Sequence, residues 1–336
     1  MKKFGFLEIE DWEQSYMQQK FSDEVALYTD KKVQEELPEE FYTVEVLSPF
    51  IYSALSADTL KKFPNLKCVV TRSTGYDHID LAYCNENNIT VCNVPSYGAH
   101  TVAEHTFALI LALSRKLLET VDRSRRGNFE LNDLTGFDLA GKTIGIVGGG
   151  KIGEKVMRVA QAFEMNVLLY TRHPEDVQST DTLKPATLEE LIAHSDIVSL
   201  HLPYTKETHH IINRDTIKQF KKGSLLINTA RGPLVETQAI LDGLESGILA
   251  GAGLDVLEEE CGLKEERELL TSEYFKTCDI RTQLLDHVLI NRNDVLYTSH
   301  NGFNSMESVH QILDTTTKNI IHFNEGNPQN TVELHR

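Results

Sequence analysis

The chain has 336 residues, enough for about two domains with a core each. Its 50 acidic and 33 basic residues give a formal net charge of −17. That argues against nucleic acid or an anionic membrane as a general partner, because both reward a basic surface. With 40% hydrophobic residues the composition is ordinary for a globular protein, and no segment approaches the ~18 uninterrupted apolar residues of a membrane helix.

The five cysteines, Cys68, Cys84, Cys92, Cys261 and Cys278, are odd in number, scattered, and never spaced C-x-x-C. A disulfide framework and a zinc site are both poor readings, and a reducing cytoplasm suits such thiols better. The N-terminal "MKKFGFLEIE" has two lysines, but Glu8 and Glu10 break its apolar run too early for a secretory signal. The expectation is a soluble cytoplasmic protein.

Short apolar runs alternate with helix-like segments, the signature of α/β architecture with parallel sheets. Early strand candidates are Val44–Leu47, Cys68–Thr71 and Thr90–Asn93, with a helix near Ala57–Phe63. Asp77 and Asp80 in "GYDHID" are placed as helix caps. The stretch 101–127, "TVAEHTFALILALSRKLLETVDRSRRG", reads as one long helix that joins domains or packs against a partner, and its run "FALILAL" (107–113) reads as a buried helix and a dimer-packing element.

From Lys142 the rhythm is regular. Strands are expected at 143–148, 166–171, 196–201, 224–229, 250–256 and 294–300. Helices are expected at 151–163, 187–193, 213–221 and 234–246. Six strands with helical crossovers make a doubly wound sheet of Rossmann type. The charged segment 258–293 interrupts the series as a helical insertion, and a last helix near 305–325 returns to the first domain.

"TIGIVGGGKIGEKV" sets Gly148, Gly150 and Gly153 in G-x-G-x-x-G order between a strand and a helix, the context that makes this pattern specific for a dinucleotide. Gly148 permits the tight turn, Gly150 lets the backbone approach a pyrophosphate, and Gly153 allows close helix–strand packing. At the end of the next strand, where an acidic residue holds the ribose of NAD, stand Thr171 and Arg172, followed by His173. Thr171 removes the charge that repels a 2′-phosphate, and Arg172 can pair with one, so acceptance of NADP is expected without exclusion of NAD.

Three stretches fall at successive strand ends, where open α/β sheets bind ligands: "INTARGPLVE", "AGLDVLEEE" and "TSHNGF". They offer Arg231, Asp255, Glu260 and His300. A guanidinium holds a carboxylate bidentately, a histidine exchanges a proton with a carbonyl oxygen, and a glutamate beside it favours the imidazolium. His201, also at a strand end, reads as a cofactor-wall residue, and the adjacent His209 and His210 lack a third ligand for a metal.

In these residues the chain resembles the D-isomer-specific 2-hydroxyacid dehydrogenases, most closely the D-lactate dehydrogenase type. "RSTGYDHID", "VAEHT", "GGGKIG", "SLHLPYTKET", "NTARG" and "GLDV" match the family's blocks in order along nearly the whole chain. The resemblance implies an NAD(P)-dependent oxidoreductase with two domains. A flavodoxin-like substrate domain covers 1–101 and 302–336, and a Rossmann domain covers 102–301.

The resemblance also implies roles. Arg231 binds substrate carboxylate, Glu260 pairs with the base, and His300 is the general acid/base. The loop Ser73, Thr74 and Gly75 cradles the carboxylate, with Tyr52 near the substrate. Lys151 and Ile152 meet the pyrophosphate and Thr171 the adenosine ribose. Leu202, Pro203 and Thr208 line the adenine side, while Thr229, Ala230 and Asp255 reach the nicotinamide end. A homodimer acting on a small 2-oxo or 2-hydroxy acid is expected.

Departures from the family pattern bear on the substrate. Ser299 stands where proline often precedes the histidine, "HNGFNS" replaces a small apolar continuation, and His100 takes a frequently acidic place. The alternatives are a glyoxylate or hydroxypyruvate reductase and, in another class, a dinucleotide-sensing corepressor. A phosphoglycerate or formate dehydrogenase fits less well.

Overall fold

Parallel strands dominate both parts of the protein, which a computed structural model describes over residues 3–21, 25–258 and 279–332. The chain divides into two units, residues 1–98 with 304–336 and residues 99–303.

In the first unit the elements run β1 (Lys3–Phe6), α1 (Asp11–Lys20), β2 (Val25–Tyr28), β3 (Val46–Ser48), α2 (Ala57–Leu60), β4 (Cys68–Val70), α3 (Leu81–Glu86) and β5 (Thr90–Cys92). The sheet order is β2-β1-β3-β4-β5, the flavodoxin-like arrangement. Two strands escape a reading of the sequence. β1 carries Gly5 in its middle, and β2 is a half-exposed edge strand without apolar alternation.

Helices α2 and α3 start at side-chain caps. Ser56 accepts from Thr59 N–H, and Asp80 accepts from Tyr83 N–H; Asp77 does not cap α3. Helix α2 stops at Leu60, short of Phe63.

Arg72 locks the strand ends together. Its side chain is buried and donates to the carbonyls of Leu7 (2.7 Å), Glu8 (2.6 Å) and Ser48 (3.3 Å). Burial lowers its pKa, opposed by the charges of Glu13 and Glu8.

In the second unit the elements run α4 (Ala99–Ser114), α5 (Leu117–Arg125), β6 (Thr143–Val147), α6 (Lys151–Ala162), β7 (Asn166–Tyr170), β8 (Leu183–Pro185), α7 (Leu188–His194) and β9 (Ile197–Leu200). There follow β10 (Ser224–Asn228), α8 (Thr237–Glu245), β11 (Leu249–Leu254), α9 (Ile280–Ile290) and β12 (Val295–Tyr297). The order β12-β11-β10-β9-β6-β7-β8 is the Rossmann arrangement with one further strand at its edge. After it, α10 (Met306–Asn324) belongs to the first unit, where Asn319 donates to the carbonyl of Asn93 at 2.8 Å.

Three expectations are corrected here. The sheet has seven strands, not six; β8 is short and ends in Pro185, which only an edge strand tolerates. The stretch 101–127 is two helices. The Ser114 carbonyl accepts from Phe137 N–H at 2.9 Å, and Lys116 turns left-handed at φ +47° with its ammonium on the Asp133 carbonyl.

Residues 213–221 hold only the 3₁₀ turn Ile217–Gln219, because Asn213 Oδ1 takes the N–H groups of Asp215 and Thr216. Phe107, Leu109 and Ile110 are buried within their own unit, as the reading of "FALILAL" as a buried helix expects. Of the segment 258–293, α9 is helical, and residues 259–278 lie outside the described residues.

Candidate active site

The glycines after β6 differ in their surroundings. Gly148 has φ +116°, and a Cβ there would lie 2.6 Å from the His201 carbonyl oxygen. A Cβ on Gly153 would overlap the Gly148 carbonyl, so α6 can approach β6 only without one. Around Gly150 a Cβ would meet nothing within 4 Å, which leaves open space above the turn.

The first full helical bond of α6 runs from Glu154 N–H to the Gly150 carbonyl, so the N–H groups before it are left for another acceptor. An open cradle of free N–H groups at a helix start fits the pyrophosphate of a dinucleotide. Lys151 is exposed and Ile152 half-buried at this turn.

At the end of β7, Thr171 is half-buried and Arg172 exposed. Arg172 and His173 both have acidic neighbours. His173 Nδ1 lies 3.3 Å from Glu175 Oε1. The carboxyl of Glu207 is held low by Thr205, its own backbone and the charge of Arg172. A cavity of about 490 Å³ opens beside Thr171, walled by Tyr170, Pro174, Ala186 and Thr187. It lies on the β7 side of the sheet and includes no residue from the ends of β10, β11 or β12.

His201 follows β9. Burial pushes its pKa down to about 3, so its ring is neutral at pH 7. Ser199 Oγ lies 2.9 Å from Nε2, while Nδ1 is enclosed without a partner among the described residues. Leu202 and Pro203 come next, and the Thr208 hydroxyl donates to the Pro203 carbonyl at 2.9 Å. Thr208 therefore shapes this loop with its hydroxyl already engaged.

Register sets the remaining residues level. Asn228 of β10 pairs with Leu254 of β11, which pairs with Tyr297 of β12. Thr229, Asp255 and Thr298 thus leave three neighbouring strands at the same height, and the ladder continues through Asp255 N–H to Asn228 O and Thr298 N–H to Leu254 O, both 2.9 Å. Arg231 and His300 each lie three residues beyond the end of their strand, with one strand between, a lateral spacing of about 10 Å.

Asp255 is the hub of these loops. Its carboxylate accepts from Thr298 Oγ1 (2.5 Å), Asn301 N–H (2.8 Å) and Gly302 N–H (2.9 Å), and its carbonyl accepts from His300 N–H (2.8 Å). Burial raises its pKa, but His105, Thr298, Gly302 and Asn301 together outweigh that and hold the carboxyl below its ordinary value. His300 sits in this wrap with φ +50°, a left-handed conformation that the surrounding bonds impose.

Across the strands, Asn228 bridges its own loop. Its amide donates to the Arg231 carbonyl at 2.9 Å and its oxygen accepts from Ala230 N–H at 3.0 Å. Arg231 Nη1 donates to the Ala230 carbonyl at 2.6 Å.

Glu260 lies outside the described residues. Glu258, two positions earlier, is described, and its carboxylate is fully engaged. It meets His210 Nε2 at 2.6 Å and accepts from the N–H and hydroxyl of Thr237 at 2.9 and 3.0 Å. His210 is thus a hydrogen-bond partner of Glu258 here, with the His209 ring stacked on it at 3.8 Å.

In the first unit, the loop after β4 uses its side chains on itself. Ser73 Oγ donates to the Gly75 carbonyl at 2.6 Å, and Thr74 Oγ1 donates to the Val94 carbonyl at 2.8 Å. The N–H groups of residues 73–75 have no acceptor among the described residues, an arrangement suited to an anion. His78 supports the loop from below; its Nε2 lies 3.1 Å from Thr71 Oγ1, and burial lowers its pKa to about 4. Tyr52 is half-exposed on the loop after β3, where Glu8 Oε1 accepts its N–H at 2.9 Å.

Asn228, Gly232, His105 and Thr106 escape a sequence reading. Gly232 had a visible signal in "ARG": a Cβ there would overlap the Leu257 carbonyl, so only glycine lets the exit of β11 cross behind Arg231. The others are polar residues whose partners are 123 or more positions away, or inside their own loop, and spacing alone does not reveal them.

Residues 107–302 match the family model described as the NAD binding domain of D-isomer specific 2-hydroxyacid dehydrogenases. D-lactate dehydrogenase of Escherichia coli is 32% identical over 269 residues, 80% of this chain and 79% of the relative. Glycerate dehydrogenase of Methylorubrum extorquens is 31% identical over 338 residues and 99% of both chains. Among solved structures, D-lactate dehydrogenase from Aquifex aeolicus, complexed with NAD and lactic acid, superposes with a TM-score of 0.81 at 34% identity, covering 96% of each chain.

The glycine geometry separates two substitutions. Gly153→Ala should cost more than about 2 kcal/mol of unfolding free energy, while Gly150→Ala should change it by less than about 0.5 kcal/mol and weaken NADH binding. Chemical denaturation of the two variants, with nicotinamide fluorescence for binding, checks this; equal loss of stability in both would contradict it.

Proposed function

Because the chain belongs to the D-isomer-specific 2-hydroxyacid dehydrogenases, we propose a division of labour among its residues in the redox reaction of that family. The protein is an oxidoreductase acting on the CH–OH group of small 2-hydroxy acids and the carbonyl of the matching 2-oxo acids, with a nicotinamide dinucleotide bound by its Rossmann unit. A corepressor role is not favoured by these likenesses.

NAD(P)H supplies the hydride when bound. Arg231 holds the substrate carboxylate and polarises the neighbouring carbonyl, His300 gives the proton to the carbonyl oxygen, and Glu260 favours the imidazolium. The N–H groups of Ser73, Thr74 and Gly75 serve the carboxylate, and Tyr52 stands by the substrate. Gly148, Gly150, Lys151, Ile152 and Gly153 hold the pyrophosphate, and Thr171 the ribose. His201, Leu202, Pro203 and Thr208 flank the adenine side, with Thr229, Ala230 and Asp255 at the nicotinamide end.

The carrying observation is the common height of the β10, β11 and β12 ends, which supports Arg231 and His300 serving one reacting carbon. Arg231→Ala and His300→Ala should each cut turnover by at least about two orders of magnitude. Near-normal initial rates in either variant would refute that role.

The substrate reading is pyruvate and D-lactate, after the relatives and the half-exposed Tyr52. A second reading, reduction of glyoxylate or hydroxypyruvate, draws on the glycerate dehydrogenase aligned over 99% of the chain. Initial rates across pyruvate, glyoxylate, hydroxypyruvate and branched 2-oxo acids decide between them.

NADP acceptance remains part of the proposal, carried by the missing acidic residue at 171 and the guanidinium at 172. Arg172→Ala should raise the KM for NADPH at least about tenfold more than that for NADH, the worth of one charged hydrogen bond. Equal effects on both cofactors would remove Arg172 from the ribose site.

A homodimer is also proposed. The supporting surface is on α5 and the loop after it, where Leu117 and Leu118 are about half exposed and Phe129 and Leu131 are 78% exposed. Light scattering should give twice the chain mass for the parent and a single chain mass for Phe129→Asp combined with Leu131→Asp; a monomeric parent would end this part. The buried thiols of Cys68, Cys84 and Cys92, which form no disulfide, support a cytoplasmic location, which cell fractionation checks. No helix among the described residues is long and apolar enough to cross a membrane.

A further inference from the structure

Two consecutive residues of α4, His105 and Thr106, reach the two loops that carry His300 and Arg231. His105 Nε2 lies 2.9 Å from Thr298 Oγ1 and 3.3 Å from Asp255 Oδ1. Thr106 Oγ1 lies 3.0 Å from Thr229 Oγ1, and both residues are buried. Neighbouring residues of a helix point about 100° apart, so one turn of α4 can serve two strand ends at once.

The approach of α4 is set by the glycines of "AGAGLDV". A Cβ on Gly251 would lie 3.3 Å from Leu113 Cδ2, and one on Gly253 would lie 3.1 Å from Leu109 Cβ. Two residues along a strand advance about 6.6 Å and four along a helix about 6.0 Å. The pairs Gly251 with Leu113 and Gly253 with Leu109 therefore lead, at the next step, to Asp255 with His105. The helix and β11 run antiparallel in step, and the glycines bring the imidazole level with the carboxylate.

We infer that His105 and Thr106 are positioning residues for the reaction: His105 fixes the 298–302 loop that presents His300, and Thr106 fixes the 229–231 loop that presents Arg231. The inference rests on the roles proposed above for Arg231 and His300. His105 completes the hydrogen bonding of Thr298 and of the buried Asp255 carboxylate, around which residues 300–302 are wound. Without it that wrap loses a fixed strut. Thr106 gives the buried Thr229 hydroxyl its partner, two residues before the guanidinium.

Kinetics of four variants test this. His105→Leu should lower kcat by about tenfold to a hundredfold, the scale of a misplacement of about 1 Å, with the substrate KM and the NADH Kd changed less than about threefold. His105→Gln, whose amide nitrogen can donate to the same partners, should keep kcat within about threefold of the parent. Thr298→Val should lower kcat comparably, and its effect combined with His105→Leu should fall short of the product of the two, because they remove one interaction. Thr106→Val should instead raise the KM for the 2-oxo acid by about tenfold, through the carboxylate anchor.

Parental kcat in His105→Leu, an equal loss in His105→Gln, or multiplicative effects with Thr298→Val would overturn the role of His105. An unchanged KM in Thr106→Val would overturn the role of Thr106. Should His105→Leu not fold, His105→Gln and Thr298→Val alone decide: the first must stay near parental and the second must lose kcat. Full activity in Arg231→Ala and His300→Ala would instead sink the underlying assignment, a result none of these four variants can mimic.

Discussion

A single buried carboxylate organises the reactive end of the Rossmann unit. Asp255 is 2% exposed, and a charge so enclosed is stable only when its oxygens are saturated with donors. The donors come from Thr298, Asn301, Gly302 and His105, so one helix and one loop must converge on it. The convergence bends the chain at His300 into a conformation that a free histidine would avoid. The cost of that conformation is met by the bonds on either side of it, which is how a strained residue persists at a strand end.

Parallel pairing supplies the other half of the arrangement. Each strand in the row β10, β11, β12 ends opposite its neighbour, so the loops that follow begin from a common edge. The chemistry of those loops is then decided locally. Asn228 closes the first on itself, Asp255 closes the third, and Gly232 yields space to the exit of the second. A protein of this plan needs few long-range contacts to bring distant residues level, because the sheet does it.

Much of this was legible in the residues. The glycine turn after β6 was readable because strand, G-x-G-x-x-G and helix occur together, and Gly148 and Gly153 meet the constraints they were assigned. The placement of Arg231, Asp255 and His300 after neighbouring strand ends was readable because strand ends in a doubly wound sheet share one edge. What was not legible follows from competition between local signals. The helical pattern of 101–127 could not show that Phe137 N–H would claim the Ser114 carbonyl, nor could 213–221 show that Asn213 would cap a turn instead of entering a helix. β8 was too short and proline-bearing to register. His105 passed unnoticed inside a family block because its partners, Thr298 and Asp255, are brought near only by the packing of α4 on β11.

The pinned loop after β3 has a consequence of a different kind. Glu8 holds the N–H groups of Phe50 and Tyr52, and Arg72 holds the carbonyls of Ser48 before them and of Glu8 itself, so the course of this backbone is fixed by groups other than the Tyr52 ring. The ring itself remains half in solvent. Such a division lets a lineage trade one side chain for a smaller or larger one without redrawing the main chain beneath it. On the role proposed for Tyr52, discrimination among acids of different bulk can drift at position 52 while the scaffold stays put.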